Sequence, residues 1–298
     1  MKIKTTKEII ALTMDKRKSA VHLSLLLALA AVAASAFNCS VAKQPGDISP
    51  ADTAPAANSS DGQANAPGDA VQAKSDRTFR DSAGNTINYD NAKLYLAAGI
   101  QSELSAKYLD EINSRLIIPG GSLDAIAAIF KWKQGAFKAS AAGGKYVGKS
   151  TVKQLMETKA LTGCHDHGLL LASVFRKYGF PAVMVDCAGM QWALNYVENK
   201  PGGFIGHVFV EANVDGRWIL VNSTSGKYVD NYEPCNPVIP MPDQAESKGY
   251  YVLFKGLDPA GYGITSNEQL TASLKSFAGR AKSIEMPLPQ YKIRDLPR

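Results

Sequence analysis

Apolar residues between positions 91 and 116 fall at helical spacing: Leu94, Leu96, Ile100, Leu104, Tyr108, Leu109, Ile112 and Leu116. Side chains three and four apart share one helix face, so this stretch predicts a helix, ended by Pro119-Gly120-Gly121. Ser122 is the cap expected for a second helix with Ile126, Ile129, Phe130 and Trp132 on its apolar side. A short helix over residues 150–159 follows. The next segment, LTGCHDHGLLLASVFRKYGFP, runs from Leu161 to Pro181 and becomes apolar around most of its girth. It predicts a central helix. Arg176 and Lys177 in its last turn suit the negative end of the helix dipole, Gly179 supplies a left-handed cap, and Pro181 forbids continuation.

The period then changes to two. Residues 182–187 read as a strand, residues 188–206 as a long connection, and HVFVEANVDGRWILVNST as two strands joined at Asp215-Gly216. Residues 250–255 form a further strand. Helices first and antiparallel strands later argue for an α+β fold. A two-residue turn at Asp215-Gly216 pairs Val214 with Arg217, Ala212 with Ile219 and Phe209 with Asn222. His207 and Asn222 then share a face as diagonal neighbours roughly 7–8 Å apart. Trp218, opposite Asn213, is assigned to the other face as a structural residue.

Composition changes the picture at the N-terminus. The chain of 298 residues is 45% hydrophobic and 20% charged, enough for a sizeable core. Of its net charge of +6, a net +4 falls in residues 1–36, through Lys2, Lys4, Lys7, Lys16, Arg17 and Lys18 against Glu8 and Asp15. The remainder is nearly neutral, which removes the main support for a nucleic-acid partner. Residues 1–36 read as a signal peptide: a basic start, an apolar run from Ala20 to Ala34, and Ala34-Ser35-Ala36 for cleavage. The signal is more regular from Met14 than from Met1. Lipidation of Cys39 is the alternative to cleavage after Ala36. Residues 37–76, rich in Ala, Pro, Asp, Ser and Gly, read as a disordered linker. Residues 77–298 form the domain, with its core at about 125–255. The expected location is periplasmic or extracellular, with a membrane met only through the signal or a lipid anchor.

The Cys164-His165-Asp166-His167 cluster carries the candidate chemistry. As metal ligands, His165 and His167 would diverge on a helix, and the chain past the leader holds only one other histidine, His207. No metal and no cofactor are therefore expected. As a buried thiol, Cys164 would be inert. As a nucleophile it sits where a helix N-terminus favours thiolate, and Gly168, one turn on, permits close approach of a sheet. His207 and Asn222 would then supply an imidazole and the group that orients it. His165 and His167 are expected at the surface beside the cleft. Cys187 and Cys235 are left either bonded to one another or as free thiols.

In order and context these segments resemble the transglutaminase-like superfamily, with its papain-like core. AIFKWKQGAF, the stretch leading through Cys164 to the following strand, and GHVFVEANVDGRWILVNSTSG carry the resemblance over residues 125–230. It implies a central helix with an N-terminal cysteine packed on an antiparallel sheet. It implies Cys164 as nucleophile, His207 as base and Asn222 where the family usually has aspartate. The expected activity is acyl transfer on a peptide or amide through a thioester, ending in hydrolysis or transglutamination. The expected partner is a peptide or protein substrate, cell-wall peptide included. Trp192 and Trp132 are candidate cleft residues, as is Gln154, and Gln154 or Trp132 is a candidate second oxyanion donor. The competing class is an inactive module that binds a peptide or cell-wall fragment.

Overall fold

The computed structural model describes residues 77–297 apart from 141–143, 201–204, 242–247 and 285–288. The signal peptide, linker and Cys39 lie outside the described residues. The chain begins with a hairpin of β1 (Thr78–Arg80) and β2 (Thr86–Asn88), then a 3-10 turn at Ala92–Leu96. Three helices follow: α1 (Ala106–Asn113), α2 (Ser122–Ala136) and, after β3 (Lys138–Ala139), α3 (Val152–Thr158). β4 (Ala160–Leu161) pairs with β3 and leads into the central helix α4 (Cys164–Lys177). Then come β5 (Ala182–Gly189), α5 (Met190–Val197), β6 (Gly206–Val214), β7 (Arg217–Asn222), β8 (Lys227–Val229), β9 (Val238–Ile239), β10 (Tyr250–Gly256), α6 (Asn267–Arg280) and β11 (Ile293–Asp295). The fold is α+β. No helix among the described residues is long and apolar enough to cross a membrane.

Seven strands form one antiparallel sheet in the order β11-β8-β7-β6-β5-β10-β9. The β6–β7 register is the one the sequence predicts, with Val214 opposite Arg217, Ala212 opposite Ile219 and Phe209 opposite Asn222. Asp215 and Gly216 both adopt positive φ, 52° and 80°, as the tight turn with the twist of a hairpin requires.

The pleat divides the core in two. Met184, Val208, Val210 and Ala212 face α4 and the other helices. Val183, Val185, Phe209, Trp218 and Tyr250 face the other way, under Phe79 and Ile87 of the first hairpin. Trp218 therefore shares the face of His207, contrary to expectation. Asn213 lies six residues from His207, an even spacing that returns the strand to the same side.

Three other expectations change. The helix predicted over residues 91–116 is broken between the 3-10 turn and α1. At the break, the Asp258 carboxylate accepts the Gln101 N–H at 2.7 Å, and a Cβ on Gly99 would lie 2.2 Å from that carboxylate. Ser122 is the first residue of α2, with Gly121 in the cap position, and its hydroxyl donates to Asp215 at 2.6 Å. The long connection before β6 contains helix α5. Cys187 and Cys235 are free thiols, the first buried and the second exposed.

On the face away from α4, Lys255 and Glu211 form a fully buried ion pair. Glu211 also accepts from Tyr89 at 2.8 Å and Tyr232 at 2.7 Å, and Lys255 donates to the Pro234 carbonyl at 2.7 Å. These bonds tie the first hairpin and the segment after β8 to the sheet. Removing one partner strands a buried charge, which typically costs about 3–5 kcal/mol. Glu211→Ala is expected to lose stability on this scale in urea unfolding, and the double change Glu211→Met with Lys255→Met to lose clearly less.

Candidate active site

Helix α4 begins with Cys164 because Gly163 is extended and the loop before it is fixed by Asp166. The Asp166 carboxylate reaches back from the first turn and accepts the Thr162 N–H at 2.8 Å and its hydroxyl at 2.6 Å. Gly168, one turn on, lies directly over β5 and β6, where a Cβ would meet Val208 at 2.6 Å and Met184 at 3.3 Å. This close seating brings the helix N-terminus down onto the sheet.

There the apolar strand β5 carries a single acid, Asp186, only 2% exposed. Its Oδ2 lies 2.7 Å from Nε2 of His165 and 3.5 Å from the Tyr262 hydroxyl. Nδ1 of the same imidazole lies 3.9 Å from the Cys164 sulfur. Cysteine, histidine and aspartate thus form a continuous chain. With the ring proton on Nε2, donated to Asp186, the Nδ1 lone pair is turned to the thiol. His165 and Cys164 are both buried and line one cavity with Asp186. The expectation that His165 sits at the surface is corrected. A lone carboxylate inside β5 was the overlooked signal, since a buried acid requires donors.

His207 and Asn222 do meet. Nε2 of His207 lies 3.0 Å from Oδ1 of Asn222. That oxygen also accepts from the Thr224 N–H and hydroxyl and from the Ser225 N–H. An amide oxygen only accepts, so Nε2 of His207 carries the proton. The imidazole packs on Phe209 and Tyr250, with ring centroids 4.8 and 5.8 Å away. All of these groups are on the face turned away from α4. The imidazole of His165 stands beside the Cys164 sulfur, and that of His207 is held by Asn222. In the pleat of β6, Val208 faces the helix at Gly168 and its neighbour His207 belongs to the opposite face.

The other candidates lie elsewhere. Gln154 closes a capping box with Thr151 at the start of α3. Trp132 packs edge-on against Phe137, and Trp192 lies 5.5 Å from Tyr196 on α5. None of the three lines the Cys164 cavity. Among the described residues, no three His, Cys, Asp or Glu side chains are grouped to hold a metal ion.

His167, also expected at the surface, is half-buried and held by Lys133 of α2. The Lys133 amine lies 3.1 Å from Nδ1 of His167, donates to the Ser223 carbonyl and stands 4.1 Å over the Phe130 ring. Burial pushes the lysine down from 10.5 to about 7. Burial first, then Lys133 and His207, push His167 from 6.5 to about 3. His167 is therefore neutral near pH 7.

No family model matches the chain, and no curated protein matches it. Among solved structures it is similar to a protein from Cytophaga hutchinsonii provisionally assigned as a cysteine protease, with a TM-score of 0.40 and 17% identity. The match covers 58% of this chain and 50% of that one, so the chain spans about half the length of that neighbour.

Lys133 yields a stability prediction. From about pH 7 up to 10.5 the unfolded chain binds a proton at this residue that the folded chain does not. Stability should rise with pH across that window and be lost as pH falls towards 7. Unfolding free energies at pH 7 and pH 9 are expected to show a gain of up to about 3 kcal/mol in the wild type. The gain should be clearly smaller in Lys133→Met.

Proposed function

We propose that the protein is a cysteine-dependent hydrolase of peptide or amide bonds, with Cys164 as nucleophile, His165 as base and Asp186 as the residue that orients the base. The observation that carries this reading is the unbroken run from sulfur to imidazole to carboxylate, at 3.9 and 2.7 Å. Nδ1 of His165 takes the thiol proton, and the sulfur attacks the carbonyl carbon. Cys164 occupies the first position of α4, where backbone N–H groups have no acceptor within the helix and the dipole favours negative charge. Its N–H is the donor best placed for the developing oxyanion. The C–N bond then breaks as His165 returns the proton to the leaving amine, and a thioester remains. Water, deprotonated by His165, attacks the thioester and releases the acid and the thiol.

The motif order supports placing this chemistry on a papain-like core of the transglutaminase-like type, spanning residues 77–298. In the transglutaminase variant an amine replaces water in the second step. The signal-like leader supports export, with cell-wall and other extracytoplasmic peptides as the substrate class and Cys39 as the point of any lipid anchor.

Alkylation of Cys164 by iodoacetamide, followed against pH, tests the assignment. An isolated thiol with a pKa near 8.5 is under 1% thiolate at pH 6, so an ion-paired one should react up to about 100-fold faster. Rapid reaction at pH 6 is expected in the wild type and in His207→Ala. It should be lost in His165→Ala and weakened in Asp186→Asn. Loss in His207→Ala with retention in His165→Ala would move the base to His207. A wild type reacting only near pH 8.5 would favour a binding module with an inert thiol.

A further inference from the structure

The space around the Cys164 sulfur is small, and beside His165, Asp186 and Asn267 its wall is hydrocarbon. The cavity that Cys164 shares with His165 and Asp186 has a volume of about 30 Å³. That is roughly the share of one water molecule in the liquid. Leu270 and Leu274 of α6 line it together with Val147 and Ile205. Leu274 is 2% exposed and Leu270 is 6% exposed, so both are packed in place. Gly144 and Gly206 also line the cavity, and neither contributes a side chain. Glycine is required at position 206, where a Cβ would lie 2.3 Å from the Cys187 carbonyl oxygen.

We propose that this cavity selects the acyl half of the substrate by size, so that the residue whose carbonyl Cys164 attacks is glycine or alanine. The inference rests on Cys164 being the nucleophile. A hydrogen or a methyl group fits the available volume, while a leucine or phenylalanine side chain has to displace Leu270 or Leu274 from the core. Walls of this kind make the discrimination steep: one extra methylene in an apolar pocket changes selectivity by roughly 10- to 200-fold. On α6 the polar residue that lines the cavity is the neutral Asn267, and no charged side chain of that helix lines it. Helix α6 is thereby the specificity element of the site, although it carries none of the reacting groups.

The test uses N-acetyl-glycyl, -alanyl, -leucyl and -phenylalanyl chloromethyl ketones on the intact chain. In each case the sulfur bonds to the methylene carbon, chloride leaves, and the thiol proton passes through His165 to solvent. Labelling rates at Cys164 are read by peptide mass mapping and divided by the rate at the exposed Cys235, which corrects for each reagent's own reactivity. The glycyl and alanyl reagents are expected to label Cys164 at least 10-fold faster than the leucyl and phenylalanyl ones. Leu274→Ala should close that gap by accelerating the larger reagents. Leu270→Ala at the neighbouring wall serves as a second variant should the first not fold. Equal rates for all four reagents in the wild type, with Cys164 reactive, would overturn the size filter alone. A gap unchanged in both variants would do the same. A Cys164 that no reagent labels, iodoacetamide included, would overturn the nucleophile assignment and this inference with it.

Discussion

The seating of α4 on the sheet at Gly168 is the constraint on which the site depends. A helix lies this close to β5 and β6 only where no side chain intervenes, and a Cβ at this position would be 2.6 Å from Val208. One helical turn earlier, the same approach lowers Cys164 and His165 onto Asp186. A larger residue at position 168 would lift the whole N-terminus, and the 2.7 Å contact from His165 to Asp186 would be the first to go. The apolar girth of α4 follows from the same requirement. A helix pressed against the sheet on one side and against α2 and α3 on another has little surface left for water.

The pleat of β6 then decides what can react with what. Successive residues alternate between the helix face and the hairpin face, so Val208 beneath Gly168 commits His207 to the other side. Moving His207 to the helix face would take a one-residue slip of β6. Such a slip would also turn Val208, Val210 and Ala212 out of the helix core and bring Glu211 into it, away from Lys255. The buried ion pair and the hydrophobic pattern therefore fix the register together. His207 and Asn222 serve the hairpin side, where the Asn222 oxygen gathers the turn after β7 through Thr224 and Ser225.

Local rules carried the sequence reading a long way. The Asp215-Gly216 turn determined a register that held at Val214, Ala212 and Phe209. The limits of α4 were legible because Gly163, Gly179 and Pro181 act within a few residues of themselves. The His207–Asn222 contact followed from counting alone. What failed was long-range. Nothing near Leu94 or Ile100 reveals that Asp258, far along the chain, captures the backbone at Gln101 and breaks the helix there. Parity within a strand was legible, but which parity faces α4 depends on Gly168 meeting Val208, a tertiary fact. Both histidines of the Cys164 cluster looked like surface residues because their partners, Asp186 and Lys133, come from other elements.

The pairing of His165 with Asp186 could be a purely structural solution to a buried carboxylate, and the geometry argues against that as its whole role. A desolvated acid in an apolar strand needs donors, and a serine, threonine or asparagine amide could supply one. Tyr262 already approaches the same oxygen. An imidazole adds something those groups do not: a second nitrogen whose character is fixed by the first. Once Nε2 donates to Asp186, Nδ1 is an acceptor, and it is directed at the one thiol that begins a helix and lines a cavity. Support for the fold requires only the first contact. The second contact, with the cavity beside it, supports the role proposed for Cys164.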